Sequence, residues 1–338
     1  MAGGQLPPEV LLHTAQASQF EEIMIGYIVR RVLQSVIVTL GVLLIMFILQ
    51  SLLPNPARAI VGFHATQSQV NAFIKSHELN KPFFIQFWHY IYQVVFQLNL
   101  GYSYRLNESV GSILARDTPK SLVLVGVALL LAIFIAIPVG IYQAVKRNRI
   151  GDQAVTAFSF LLYSLPTFFL GELLIMAFAE YLHLFPAEAP QGATIGQILS
   201  QPMALVLPIA NLTLVNYAGY SRFMRSSAIE ALAQDFIRTA QAKGLSQRVI
   251  LYKHMLRNAL IPVATIVGLS LPAVFTAGLI TEALFNFPGI GSDYVNALVM
   301  QDYPTALGIT LVVAIATVIG NLLADVAYAV LDPRVRYN

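Results

Sequence analysis

One polar loop, residues 222–257, holds the densest group of side chains that could bind a partner. It carries seven Lys and Arg residues against two acidic ones, Glu230 and Asp235, so its net charge is +5. Asp235 can cap a short helix, because a carboxylate accepts hydrogen bonds from the first free N–H groups of a helix. Gly244 can end that helix in the left-handed conformation. The pattern predicts about two exposed helical turns over Phe236–Lys243.

This short helix has two possible uses. Phe236, Ala240 and Lys243 fall on one face at helical spacing. Ala240 and Ala242 are small enough to let the surface of another protein approach closely. A rigid helix of this kind could receive force from a soluble motor. It could also lie on a membrane surface and hold anionic lipid headgroups through its basic residues. These residues alone leave both alternatives open.

Residues suited to covalent, redox or metal chemistry are few. The chain has no cysteine, and its six histidines are scattered without the spacing of metal ligands. It also lacks a glycine-rich phosphate loop of the Gly-x-x-x-x-Gly-Lys-Ser/Thr kind. We therefore expect that the chain binds no metal and no cofactor of its own, and that it does not hydrolyse ATP.

Three polar residues inside apolar stretches are candidates for a solute pathway. Glu172 is the only charged residue within residues 154–179. An intramembrane carboxylate is a functional candidate by default, because it is costly to bury. Glu172 could line a pathway and meet the amino terminus of a peptide, or it could bond to a neighbouring helix. Asn211 and Asn216 could also line a pathway, or could form ordinary hydrogen bonds between helices.

Long apolar stretches must position these residues. Charged residues make up 11% of the 338 residues, whereas soluble domains carry roughly 25%. Each stretch can cross a hydrocarbon layer of about 30 Å as a helix, and in lipid the backbone must satisfy its own hydrogen bonds. The sequence therefore predicts an all-α integral membrane protein with six transmembrane helices. The stretches are residues 32–53, 121–145, 154–179, 202–221, 258–281 and 305–331.

Lys and Arg residues are unevenly distributed over the connecting loops. Fourteen of the 20 precede the first stretch, follow the last, or lie in the loops after the second and fourth. The loops at residues 180–201 and 282–304 have none. Because basic residues of short loops collect on the cytoplasmic side, both termini are expected in the cytoplasm. This distribution also explains the pI near 9.0 without nucleic-acid binding.

The chain divides into four predicted parts. Residues 1–24 form a polar N-terminal extension that lacks the pattern of a secretory signal. Residues 25–53 form the first span, and residues 54–120 form an external segment. Residues 121–337 form a core of five transmembrane helices, which contains the polar loop at residues 222–257.

The external segment contains an aromatic helix. Pro82–Leu98 has an amphipathic pattern, and its Trp88, Tyr90 and Tyr92 suit the headgroup level of a membrane. The same helix could equally pack on the outer ends of the spans. Ser109–Thr118 is expected to form a short helix that leads into the second span.

Two segments of the polar loop resemble the cytoplasmic EAA loop of ABC importer permeases. They are Ile-Arg-Thr-Ala-Gln-Ala-Lys-Gly at residues 237–244 and His-Met-Leu-Arg-Asn-Ala-Leu-Ile-Pro at residues 254–262. They are most similar to the branch that carries dipeptides, oligopeptides and nickel. Arg238 and Thr239 depart from the general pattern, which has Glu and Ala there, and the spacer after Gly244 is longer. Further segments that resemble this branch are Arg30-Arg31 and residues 100–103, 282–291 and 331–337.

The resemblance implies a complete assembly. A type I ABC importer permease lies in a bacterial or archaeal cell (inner) membrane beside a second, similar permease. Two cytosolic ATPases bind ATP and magnesium, and an external solute-binding protein meets the loops at residues 180–201 and 282–304. The resemblance does not decide which solute is carried: dipeptides, oligopeptides, nickel chelates, opines and sugars are the alternatives. The residues that would dock in a groove of one ATPase are Asp235, Phe236, Ile237, Arg238, Thr239, Ala240, Gln241, Ala242, Lys243 and Gly244.

Two other classes of membrane protein fit the sequence less well. A secondary transporter driven by an ion gradient tends to show repeated halves and acidic residues at the midplane. This chain shows no convincing repeat, and Glu172 is a lone acid. An intramembrane hydrolase needs a nucleophile with a base or paired aspartates, and the predicted spans contain no histidine. The predicted function is that of a transmembrane permease subunit.

Overall fold

The structure is a computed structural model that describes most of the chain. The backbone is described for residues 8–52, 57, 61, 65–76 and 79–331. The side chains are described for residues 30–52, 57, 61, 65–76, 79–268, 270 and 277–322. The predicted C-terminal signature beyond Leu331 therefore lies outside the described residues, as do residues 1–7 of the predicted extension.

Helices form nearly all of the described chain. Before the core they are α1 Pro8–Leu52, α2 Gln67–Ser76 and α3 Phe83–Gln97, followed by the two-residue strands β1 Tyr102–Ser103 and β2 Glu108–Ser109. The first half of the core has α4 Val110–Val145, α5 Ile150–Ser164, α6 Thr167–Leu174 with a π-helical continuation Ile175–Tyr181, α7 Ile195–Leu199 and α8 Pro202–Leu232. The second half has α9 Asp235–Ala242, α10 Gln247–Val249 with a π-helical continuation Ile250–Met255, α11 Leu256–Leu284, α12 Ile290–Val299 and α13 Tyr303–Leu331.

Several of these helices can cross a membrane. Among the described residues, four are long and apolar enough: Arg30–Leu52 of α1, α4, α8 and Tyr303–Leu322 of α13. The pair α5 and α6 makes a fifth candidate if its two halves count as one span. Helix α11 is 29 residues long, but some of its side chains lie outside the described residues. Six spans therefore stay a prediction.

The third predicted span, residues 154–179, is wrong as a single helix. It breaks between Ser164 and Thr167, where α5 and α6 meet at an angle of 109°. Leu165 is extended, with φ −82° and ψ 135°. A proline disfavours the helical conformation of the residue before it, and Pro166 also has no N–H to donate. Pro138 and Pro208 by contrast lie inside the continuous helices α4 and α8.

The second span begins earlier than predicted. Helix α4 starts at Val110, after Ser109 caps it by accepting a hydrogen bond from the Ser112 N–H at 3.1 Å. The short helix expected over Ser109–Thr118 is helical from Val110 and continues without a break as the first part of α4. The predicted boundary at residue 120 therefore falls inside a helix. Likewise α1 runs without a break from Pro8, through the boundary expected at residue 24.

The aromatic helix α3 shows one of its two predicted arrangements, packing on a span. Tyr90 and Phe87 are buried against α1, where Phe47 contacts both rings at centroid distances of 5.5 and 5.4 Å. Trp88 and Tyr92 stay exposed. One face of α3 thus packs on a span, and the other faces outward.

Close contact between α4 and α8 forms the centre of the bundle. At Gly140 an added Cβ would lie 2.6 Å from the Cβ of Met224, so glycine is required for the two helices to approach. Small residues let backbones pack closely in membranes, where apolar burial gives little force between helices. Ala128, Ala132 and Ala136 continue this contact along α4 and are fully or almost fully buried.

Candidate functional site

The short helix of the polar loop is present as α9. Its N-cap is Gln234 and not Asp235, so the predicted cap is wrong by one residue. Asp235 is the first helical residue, where a negative charge is favourable beside the free N–H groups of the helix. Its carboxylate also pairs with Arg238 at 3.3 Å on the exposed surface.

The predicted end of the helix is confirmed. Gly244 has φ +73°, in the left-handed region that favours glycine. Its N–H donates to the Gln241 carbonyl at 2.9 Å, and the Leu245 N–H donates to the Ala240 carbonyl at 3.3 Å. These two bonds are those of a Schellman motif, which satisfies the last free carbonyls of a helix. The loop therefore ends α9 sharply and turns back toward α10.

The inner face of α9 packs on its own chain. Ile237 and Ala240 are 2% and 4% exposed, and they join a cluster that includes Met224 of α8 and both Ile250 and Met255 beside α10. Ala240 therefore faces inward, and its predicted place on a partner-facing surface is wrong. Ile237 lies three residues earlier on the same stripe of the helix, which packs against Met224 and Ile250.

The outer face of α9 is free for a partner. Phe236 is 38% exposed, a large apolar side chain surrounded by polar ones. Ala242 and Lys243 are also exposed, and so is Thr239. The Thr239 hydroxyl donates to the Asp235 carbonyl at 3.0 Å. The helix is thus fastened along one side and presents a small surface centred on Phe236.

A bidentate ion pair ties α8 to α5. Arg225 of α8 donates from Nε to Oδ1 and from Nη2 to Oδ2 of Asp152, both at 2.7 Å. Asp152 is 2% exposed and also accepts from the Asn148 N–H at 2.9 Å. This bidentate geometry is the strong form of an Arg–carboxylate pair. Sequence analysis missed it, because the partners are 73 positions apart.

The two loops without basic residues lie against each other at the opposite end of the bundle. The Ala189 N–H donates to the Phe285 carbonyl at 2.8 Å, and Gln191 Nε2 donates to the Asn286 carbonyl at 2.6 Å. Lys120 of α4 joins them by donating to the Gly192 carbonyl at 3.1 Å. The two loops are therefore joined to each other at residues 189–191 and 285–286.

A buried acidic network fixes that surface to the helices. Asp117 pairs with Lys120 at 2.7 Å, and both are 3% exposed. Glu282, at the end of α11, accepts from the Gly291 N–H at 2.7 Å. At Gly291 an added Cβ would lie 2.5 Å from the Cα of Leu279, so the turn after α11 requires glycine. Charged residues at the ends of apolar stretches were the available signal for this network in the sequence.

Asp293 should make the stability of this network depend on pH. Burial, followed by the charge of Asp117, raises the pKa of Asp293 from its ordinary value of 3.8 to about 7. Because the folded state binds the proton more tightly, stability is highest at low pH and falls as pH rises from about 4 to about 7. Asp293→Asn keeps the neutral form, so above pH 7 this variant should melt at a higher temperature than the native chain.

Melting curves of the purified protein at about pH 5 and about pH 8 test this expectation. The difference between the variant and the native chain should be positive at both values and clearly larger at the higher pH. Glu188→Gln, an exposed change in the adjoining loop, is the control and should shift neither curve. An equal difference at both values would contradict the proposed protonation.

The three pathway candidates lie in different surroundings. Glu172 is exposed on α6, next to the buried Gly171. Asn211 is fully buried and donates from Nδ2 to Thr281 Oγ1 at 3.1 Å, so it joins α8 to α11. Of its two predicted uses, the structure shows the hydrogen bond between helices. Asn216 is half-buried and donates to the Leu212 carbonyl of its own helix at 2.7 Å.

Comparison with known proteins covers nearly the whole chain. The family model described as binding-protein-dependent transport system inner membrane component matches residues 136–337. The model for the N-terminal part of such membrane components matches residues 24–125.

Curated relatives match over almost their full length. The oligopeptide transport system permease protein AppB of Bacillus subtilis is 34% identical, over 93% of this chain and 100% of the relative. The dipeptide transport system permease protein DppB of the same species is 33% identical, over 93% and 98%. The glutathione transport system permease protein GsiC of Salmonella choleraesuis is 35% identical, over 93% and 100%.

Proposed function

The chain belongs to the family of binding-protein-dependent transport system inner membrane components, and we propose that α9 is the element through which partner ATPases drive it. It is a multi-pass membrane protein and the permease subunit of a peptide importer. Members of this family are transport components and not enzymes. The further points below concern how this subunit works.

The geometry of α9 carries the coupling proposal. A helix that transmits force must be fixed to the bundle and must also present a surface to its partner. Ile237 fixes α9 to α8 and to the segment before α11. Phe236 and the exposed polar residues around it offer a small docking surface. A movement of the docked ATPase would then reach the long helices α4, α8 and α11 directly.

The assembly we propose contains several other subunits. The sequence has no phosphate loop. We therefore assign the binding of ATP and magnesium to two cytosolic ATPases. A second, homologous permease completes the translocation pathway. An external solute-binding protein docks on the surface formed by residues 180–201 and 282–304, whose loops are hydrogen-bonded to each other.

We propose six spans in a bacterial or archaeal cell (inner) membrane, with both termini in the cytoplasm. The helices α5 and α6 then form one bent span, and α11 supplies another. The distribution of Lys and Arg supports this orientation. In this proposed orientation α9 lies in the cytoplasm, and the acidic network lies at the external surface.

Co-purification and reconstitution test the assembly. A tagged chain purified in mild detergent from its host should bring two ATPase subunits, a second permease and a binding protein. Reconstituted in vesicles, the assembly should take up peptides only with ATP, and uptake should survive dissipation of ion gradients. Uptake by the chain alone, without ATP and abolished by dissipating a gradient, would instead identify a secondary transporter.

Glu172 is the pathway residue we propose. Its carboxylate is exposed on a helix with apolar neighbours, where contact with lipid would cost several kcal/mol. A water-filled pathway beside the second permease avoids this cost and places the carboxylate where the ammonium group of a peptide passes. Glu172→Gln should lower uptake of peptides with a free amino terminus by about tenfold, since a charge-assisted hydrogen bond is lost.

Peptides with an acetylated amino terminus provide the matched substrate control, and their uptake should be unchanged by Glu172→Gln. Glu180→Gln, an exposed change at the end of the same segment, provides the position control. Equal losses for free and acetylated peptides would assign Glu172 a structural role.

A further inference from the structure

Helix α3 has three different faces. The first packs on the bundle, where Phe87 and Tyr90 are buried in a cluster with residues of α1 and α13. The second is polar and lines a cavity through Gln86, His89 and Gln93. The third face is an aromatic stripe in which each side chain is more than half exposed. Its members recur at every fourth position: Phe84, Trp88, Tyr92 and Phe96.

The contacts of the first face place α3 near one end of the spans. Phe47, which contacts the rings of Phe87 and Tyr90, lies five residues before the end of α1 at Leu52. Leu307 of the same cluster lies four residues after the start of α13. At 1.5 Å per residue these contacts lie about 6–8 Å inside the ends of two spans. This is the level at which the headgroup layer of a bilayer meets its hydrocarbon.

Helix α2 of the same external segment has a different surface. Apart from Ala72, its exposed side chains are polar: Gln67, Ser68, Gln69, Asn71, Lys75 and Ser76. The exposed stripe of α3 is aromatic instead, and no Lys, Arg, Asp or Glu occurs from Pro82 to Tyr104. A contiguous apolar face of this kind marks a site of contact with a membrane or with another protein.

Continuity with α1 favours lipid as the occupant. Almost none of the span Arg30–Leu52 is buried within the chain. Near the end that α3 contacts, α1 exposes large apolar side chains, which meet hydrocarbon in a membrane: Ile45, Ile48, Leu49 and Leu52. Trp88 and Tyr92 fit the adjoining layer, because each combines an apolar ring with one N–H or O–H group. Such side chains collect where lipid headgroups meet acyl chains.

We propose that the bilayer covers the aromatic stripe and that α3 anchors the external segment to the leaflet at this end of the spans. Phe84 and Phe96 contact the upper parts of acyl chains. Trp88 Nε1 and Tyr92 Oη donate to phosphate or ester oxygens of the lipid. The membrane would then hold α3 against α1 and α13. In the orientation proposed above this leaflet is the outer one, but the contact itself depends only on where the spans end.

Fluorescence quenching tests this position, because Trp88 is the only tryptophan of the chain. The complex that co-purifies with the chain is placed in nanodiscs of phosphatidylcholine that carries bromine near the headgroup end or near the middle of an acyl chain. The difference in emission between the native complex and Trp88→Phe isolates the signal of Trp88. Bromine near the headgroup end should quench it about twofold more strongly, since an interfacial helix buries its apolar face by only about 5–10 Å. Aqueous iodide should quench it weakly.

His89→Trp combined with Trp88→Phe is the matched control, because it moves the indole by one residue onto the exposed face that lines the cavity. Iodide should quench this variant strongly, and brominated lipid should quench it weakly. Strong iodide quenching of Trp88 in the native complex would overturn the proposal and leave the stripe in water. Protection of Trp88 from both quenchers would also overturn it and assign the stripe to a second permease or another subunit. Either result would leave the coupling role proposed for α9 unaffected.

Discussion

Replacing Phe236 by aspartate should lower ATP-driven uptake by about 30–100-fold while the permease still folds. Phe236 is the large apolar side chain on the outer face of α9, and it is 38% exposed in the isolated chain. Aromatic residues at the centre of an interface commonly contribute 2 kcal/mol or more to binding. A carboxylate in its place would lose that contact and bring an unpaired charge into the proposed interface.

Peptide uptake and peptide-stimulated ATPase activity in reconstituted vesicles measure this effect. Phe236→Leu should recover much of both activities. Val249→Asp is a position control, because Val249 is 37% exposed in the same loop but lies outside α9. Full activity of Phe236→Asp would show that α9 does not transmit the force. Equal loss in Val249→Asp would show a docking surface wider than this helix.

Replacing Asp152 by asparagine should destabilise the permease by about 3 kcal/mol. Removing one partner of a buried ion pair leaves an uncompensated charge, which costs about 3–5 kcal/mol when both groups are fully buried. Asp152 is 2% exposed, but the Arg225 side chain is 27% exposed, so water reduces the cost. The change would loosen α5 from α8, and uptake should fall together with stability.

A double-mutant cycle separates the pair from its surroundings. Asp152→Asn, Arg225→Gln and the combination are compared by melting temperature in detergent. Because the two side chains are in contact, the combined variant should be less destabilised than the sum of the single changes. Strict additivity would contradict a direct pairing. Arg222→Gln controls for the loss of a positive charge nearby. In the native chain the Arg222 guanidinium lies over the Tyr163 ring, at 4.7 Å from the ring centroid.

Local patterns in the sequence predicted the elements but not their orientation. The apolar stretches, the end of α9 at Gly244 and the amphipathic α3 follow from composition and from single residues with special backbone preferences. Which stripe of α9 is buried depends instead on where Met224 and Ile250 lie. Residues far apart in the chain decide this, so periodicity placed Ala240 on the wrong side.

The break at Leu165-Pro166 and the buried polar pairs show the same limit. Proline occurs in α4 and α8 without interrupting them, so its presence in a stretch does not by itself predict a 109° bend. Asp152 and Arg225, and likewise Lys120 and Gly192, meet only after the helices pack. Chemistry alone identified Glu172 as unusual, but only packing shows that it faces outward while Asn211 faces inward.

The close crossing at Gly140 turns α4 into a lever with unequal arms. Gly140 lies five residues from the end of α4 at Val145 and 30 residues from its start at Val110. At 1.5 Å per residue the short arm is about 8 Å and the long arm about 45 Å. If the rigid helix tilts about Gly140 and its short end moves by about 1 Å, its other end moves through about 6 Å. Small movements of α4 beside α9 would thus become larger movements at the other end of α4.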